Sequence, residues 1–154
     1  MTRRIARVGA ILAAAVLVAA CSASSSPSAP TAPASLPGTS WTLGLQGGTA
    51  PAARALPTLV FGKDGSVSGF TGCEPYAGTF TANGASLTIA SLVKTPTSNP
   101  CAPTDEATAT AFLAALGGVT GWSTQVVPAA SGIRVLQPVK LLLNGPTALV
   151  FTLQ

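Results

Sequence analysis

The side chains that could do chemistry are few and widely spaced. The only acids are Asp64, Glu74, Asp105 and Glu106, the cysteines are Cys21, Cys73 and Cys101, and no histidine occurs in the 154 residues. Without an imidazole, neither a Ser–His nor a Cys–His nucleophile pair can be assembled. Asp64 belongs to a Lys-Asp-Gly-Ser turn. Asp105 and Glu106 are neighbours, and adjacent helical residues do not share a face; they read as first-turn charges that the helix dipole favours. Glu74 stands apart, between Cys73 and Pro75. It is either an exposed binding carboxylate or a solvated loop residue. Tyr76, Trp41 and Trp122 are binding anchors or core plugs; Trp41, at a strand start, reads as core, and Trp122 as a cover for one end of the fold. Glu74 and Tyr76 form the candidate binding loop. No glycine-rich phosphate loop joins a strand to a helix, and two cysteines without histidine make a poor metal set. No catalytic residue, metal or cofactor is expected, and the chain is read as a non-enzyme.

Cys21 asks for a different chemistry. Arg3, Arg4 and Arg7 form a basic head, residues 8–20 (VGAILAAAVLVAA) are apolar without a break, and the run stops at the cysteine. A basic n-region, an apolar h-region and small residues at the end are the layout of a secretory signal. The run is shorter than the roughly 20 residues that span a bilayer. Val18-Ala19-Ala20-Cys21 looks like a bacterial lipobox. That resemblance implies cleavage before Cys21 and a diacylglyceryl thioether on its sulfur, which makes membrane lipid a partner through acylated Cys21. An uncleaved N-terminal anchor is the alternative. The Ser/Ala/Pro tract that follows has little to bury and reads as a disordered tether.

These boundaries give a signal segment over 1–20, a tether over 21–38 and one domain over 39–154, long enough for a single core. The formal charge of +4 includes the three arginines of the signal segment, so the remainder stands at +1. No Lys/Arg cluster is left, and a nucleic-acid footprint needs one; nucleic acid is excluded as a partner. For an exported chain, the isolated pair Cys73 and Cys101 is most simply a disulfide. A redox pair and two buried free thiols are the alternatives.

The elements that must position these residues are legible from turns and periods. Lys63-Asp64-Gly65-Ser66, Asn83-Gly84 and Asn144-Gly145 each separate apolar runs, and Asp-Gly and Asn-Gly predict type I′ hairpins. Leu87 and Ile89 share a face, as do Val139, Leu141 and Leu143, and Leu149, Phe151 and Leu153. "PTLVF" and "PTALVF" echo each other as two strands of similar composition. Ala109, Phe112, Leu113 and Leu116 follow the helical period, which predicts one amphipathic helix over 104–116 with Thr104 as N-cap and Gly117 as stop. The fold class is α+β, mainly β: a small antiparallel barrel or sandwich with one helix.

The order of these pieces resembles the META domain family, the HslJ-like bacterial lipoproteins. The resemblance rests on "SWTL" (40–43), "PTLVFGKDGSVSGFTGCEPYAGTF" (57–80), "LTIASLVKT" (87–95), Cys101, the helix and "LLLNGPTALVF" (141–151). Glu74 stands where the family usually has Asn, and the second cysteine lies further from Thr95 than is usual. The resemblance implies a β-rich fold with one helix at the cell envelope, and an association with stress and antibiotic tolerance. The expectation is therefore a lipid-anchored, extracytoplasmic, non-enzymatic protein at the cell membrane. A binding module that inhibits or assembles an envelope protein, through the 73–78 and 96–103 loops, is the second hypothesis. A redox protein using Cys73 and Cys101 is the third.

Overall fold

Alternation decides which way each strand faces, and here it closes a sheet on itself. The computed structural model describes residues 32–98, 100–128 and 138–154. Cys21, the apolar leader and the tether up to residue 31 lie outside the described residues. In chain order the elements are β1 (Thr39–Gln46), β2 (Thr58–Phe61), β3 (Ser66–Phe70), β4 (Pro75–Asn83), β5 (Ser86–Lys94), α1 (Pro103–Gly117), β6 (Gly121–Val126), β7 (Val139–Asn144) and β8 (Leu149–Leu153). Each strand pairs antiparallel with the next, and β8 returns to β1, which makes a closed barrel. The two echoing segments are β2 and β8, the two neighbours of β1.

Alternate residues fill the barrel. Trp41 and Leu43 of β1, Leu59 and Phe61 of β2, Leu87 and Ile89 of β5, Val139, Leu141 and Leu143 of β7, and Leu149 and Phe151 of β8 are all buried. Each such side chain contributes about 1.5–3 kcal/mol by leaving water. Trp41 satisfies its indole N–H by donating to Thr39 Oγ1 at 2.7 Å.

α1 covers one end of the barrel. Ala109, Phe112 and Leu116 are buried as the helical period requires, and Phe112 meets Tyr76 and Phe151 edge-on, with centroids 5.8 and 6.3 Å apart. The helix begins at Pro103, and its N-cap is Ala102, which makes no side-chain cap bond. Thr104 is thus not the cap. Pro103, with a fixed φ and no N–H to leave unpaired, starts the helix ahead of it. Gly117 is still helical; the stop is Gly118, whose N–H returns to the carbonyls of Ala114 and Ala115 at 3.2 Å.

The opposite end is closed by chain that the sequence assigns to the tether. Leu36 is only 1% exposed and belongs to the core. It is held there by Thr39, whose N–H and Oγ1 both donate to the Leu36 carbonyl, at 3.1 and 2.6 Å.

None of the three hairpin turns is the expected type I′. Gly62 bonds Ser66 across a three-residue loop in which Gly65 has positive φ, +84°, and Asp64 does not. Asn83 is the last paired residue, opposite Ser86, so the loop is Gly84-Ala85. Gly84 alone has positive φ, +59°, the signature of a type II′ turn rather than I′. Asn144-Gly145 is not a two-residue turn either: β8 restarts only at Leu149. Gly145 is required there by close approach, since a Cβ would stand 2.5 Å from the Gly118 carbonyl oxygen at the end of α1.

Candidate functional site

The charged residues converge where α1 begins. Thr71, fully buried, makes the β3–β4 loop: its Oγ1 accepts the N–H groups of Cys73 and Glu74 at 3.3 and 3.0 Å, and its own N–H donates to the Glu74 carbonyl at 2.9 Å. This turn aims Cys73 at Cys101, just ahead of the helix. The two stand as a disulfide pair with Cα atoms 5.8 Å apart and 28 positions apart in sequence.

Lys94 joins the same cluster from β5. Strict alternation after Leu87 and Ile89 would turn Ser91 and Val93 inward and Lys94 outward. The β4–β5 register slips between Ala77 and Thr79. The extra residue is accommodated by Ser91, whose φ of +55° makes it the one non-glycine in the left-handed region among the described residues. A bulge of this kind re-aims the side chains beyond it. Val93 is consequently 66% exposed, while Lys94 turns toward the helix. Its Nζ donates to Glu106 Oε1 at 2.5 Å and stands 3.0 Å from Glu74 Oε2. The second contact has poor hydrogen-bond geometry, so Glu74 Oε2, a buried oxygen, is held mainly by charge. The hydrogen bond to Glu106, followed by the contact with Glu74, raises the Lys94 pKa above its ordinary value.

Asp105 faces away from that pair. It is 7% exposed and accepts the backbone N–H of Arg54, in the β1–β2 loop, at 3.3 Å. The helix start is therefore fastened by three devices: the disulfide, the Lys94 bridge and the Asp105 bond. Arg54, Phe70, Cys73, Thr97, Cys101 and Asp105 line a groove of about 590 Å³ beside them.

The candidate binding loop needs correction in both its members. Tyr76 is not in a loop: it lies in β4, is 2% exposed, and donates its hydroxyl to the Thr58 carbonyl at 2.8 Å. Burial pushes its phenol pKa well up. Glu74 is not a solvated or freely exposed carboxylate, because its side chain is only 15% exposed and is paired with Lys94. Asp105 and Glu106 are more than dipole charges, since each has its own partner across the fold. The sequence reading missed Lys94 altogether. Asp64 is a turn residue as expected, accepting from the hydroxyl and N–H of Ser66, which lower its pKa. Trp122 covers the far end of the barrel and donates its indole N–H to the Gly84 carbonyl at 2.9 Å.

Cys73 Sγ, Cys101 Sγ and a Glu106 carboxylate oxygen lie within 4.8 Å of one another. Joined as a disulfide, the sulfurs offer no thiolate to a metal. The cluster can clasp the helix and line a surface groove. It presents no activated nucleophile.

A closed antiparallel barrel filled with side chains, with one helix over its end and a cystine beside the helix start, defines the class of domain. The chain belongs to the META domain family, whose family model matches residues 34–137. That match begins just ahead of Leu36, in keeping with the place of this residue in the core. The fold is similar to an NMR structure of a protein from Burkholderia xenovorans, at 25% identity over 84% of this chain and 94% of that one, with a TM-score of 0.56. A DUF4847 family protein from Bacteroides vulgatus is also similar, at 21% identity, 62% and 57% coverage and a TM-score of 0.43. No curated protein matches the chain.

Proposed function

We propose that this META domain is carried on a lipid anchor at Cys21, on the extracytoplasmic face of the cell membrane, and acts there without catalysis, in envelope stress or antibiotic tolerance. The observation that carries the non-enzymatic reading is the filled barrel: Trp41, Phe61, Tyr76, Phe112 and Phe151 occupy its interior and are at most 2% exposed. A barrel packed in this way leaves no internal chamber for a substrate among the described residues. The lipobox-like VAAC and a disulfide pair, which suits an oxidising compartment, support the location. Among the described residues no helix is long and apolar enough to cross a membrane; the anchor is assigned to Cys21 on the lipobox-like sequence. Intact mass spectrometry of the membrane fraction is the test. A chain that begins at Cys21, carries a diacylglyceryl group and gains about 2 Da on reduction fits the proposal. A chain that retains residues 1–20 with an unmodified thiol refutes it.

A second reading is favoured by the groove beside the cystine. The disulfide ties the loop after β3 to the segment before α1, which gives an envelope protein partner a fixed surface with Arg54 exposed at its rim. A photo-crosslinking residue placed at Arg54 should then yield one discrete adduct in living cells. A smear or no adduct argues for an idle groove.

A further inference from the structure

At the end of the barrel away from α1, Leu36 and Pro37 face Phe80, Ala82 and Trp122 across an apolar groove of about 480 Å³. The β2–β3 and β4–β5 turns rim it, through Gly65 and Gly84. Phe80 packs edge-on against Phe61 at 4.8 Å, so the groove floor is continuous with the core. Trp122 is half-buried, with its indole N–H already bonded to Gly84. An amphipathic ring fixed in this way, at the edge of an apolar patch, is suited to a membrane–water interface.

The position of the chain entry identifies the occupant. The described chain starts at Ala32, which packs on the core, and Pro33 is tied to β6 by the Thr124 hydroxyl at 3.3 Å. The segment then runs straight into the groove wall at Leu36. From Cys21 to Ala32 the backbone reaches at most about 40 Å. An anchored Cys21 therefore keeps this end of the barrel, rather than the α1 end, nearest the bilayer, at a local concentration where weak contacts suffice. At the groove end Lys63 reaches alongside Gly38, its Cε 3.2 Å from where a Gly38 Cβ would lie; the neighbouring Asp64 stays ionised beside it, since its bonds from Ser66 lower its pKa.

We propose that the Pro37–Phe80–Trp122 face, backed by the buried Leu36, is a membrane-contacting surface, which rests on the headgroup layer of the bilayer that holds Cys21 and places Trp122 at the interface. This rests on the lipid-anchor reading above. It would orient the domain with the cystine and the charged cluster pointing away from the membrane.

The test uses the membrane-extracted protein in vesicles of phosphatidylethanolamine and phosphatidylglycerol, with or without brominated acyl chains. Bromine quenches indoles it touches. Trp41 is sealed in the barrel, so quenching reads Trp122. Brominated vesicles should give dimmer emission than plain ones, because an interfacial Trp122 lies beside the brominated chains. Trp122→Phe should abolish that difference while the protein still floats with the vesicles and still melts cooperatively, and Lys63→Glu should weaken it. Equal emission in plain and brominated vesicles, from protein that floats with both, overturns the membrane face. Protein that fails to float instead refutes the lipid anchor. The chain from Cys21 onward, coupled through that thiol to a maleimide phospholipid, then repeats the quenching measurement and judges the face alone.

Discussion

Gly78 faces Ser91 and Leu92 across the β4–β5 bulge, and that meeting turns Lys94 toward Glu106. A Cβ on residue 78 would stand 2.7 Å from the Ala90 carbonyl oxygen and 3.0 Å from Leu92 Cδ2. The glycine two residues after Tyr76 thus serves a charge pair sixteen residues downstream by leaving room for the strand to slip. Gly78→Ala should cost about 1–3 kcal/mol by overpacking. Ser91→Val, which forces a branched side chain into positive φ, should cost about 1–2 kcal/mol, while Ser91→Gly stays near zero. Urea unfolding checks all three, and equal stability of the Val and Gly variants would remove the bulge argument.

The Lys94 bridge should show itself in alkali. Its pKa is raised in the folded state, so its contribution is fully present below the ordinary lysine range and is lost as pH rises through the folded value. Glu106→Gln should therefore lower the urea midpoint at neutral pH and leave it almost unchanged in strong alkali. Lys94→Met should cost more than Glu106→Gln, because it strands the buried Glu74 oxygen without a charge partner. The reverse order would mean that Glu74 is solvated after all.

Tyr76 is the only tyrosine in the chain, so phenolate absorbance near 295 nm reads one site. Burial holds its pKa above the unfolded value near 10. Stability due to the neutral phenol is present below that value and falls as pH climbs past it. Phenolate absorbance should appear together with unfolding and not before it. A smooth titration around pH 10 in a folded protein would place the ring in water. Tyr76→Phe, which leaves the Thr58 carbonyl without its donor, should cost about 1–3 kcal/mol.

The cystine closes a loop of 28 residues. On the chain-entropy model its loss should cost about 3–4 kcal/mol. Replacing both cysteines with alanine should also raise amide exchange at the start of α1, where the Lys94 and Asp105 contacts would be left to hold the helix. Unchanged exchange there would mean that those two contacts suffice.

Leu36→Ala should cost about 2–5 kcal/mol, as for other buried leucines. A chain trimmed to begin at Thr39 should lose at least as much. Equal melting of the trimmed and full domains would return residues 32–38 to the tether.

The hairpins and the helix were legible because periods of 2 and 3.6 survive in Leu87/Ile89, Val139/Leu141/Leu143 and Ala109/Phe112/Leu116. The family resemblance held over residues 34–137, which takes in β1 to β6 and α1 but not β7 and β8. What escaped were features set by single residues. Leu36 is one apolar side chain among Ser, Ala and Pro, and a single residue has no period. Lys94 lies beyond a bulge, and counting alternate positions assumes that there is none. Tyr76 sits two residues after Glu74 in sequence, but strand pairing sends its ring into the barrel and leaves the carboxylate at the rim. Asn144-Gly145 has hairpin composition, yet the end of α1 crowds the glycine and decides the loop instead.

The barrel is sealed by its first and last strands. Trp41 pairs with Leu153, and the side chain of Gln154 bonds Thr42 across 112 residues. A ribosome, or a secretion pore passing the chain amino end first, delivers β1 long before its second neighbour exists. Until β8 emerges, Trp41 and Leu43 have one flank unprotected and the central ring is incomplete. Such a chain cannot lock shut midway through transit, and its folding clock starts only when its final residues are released.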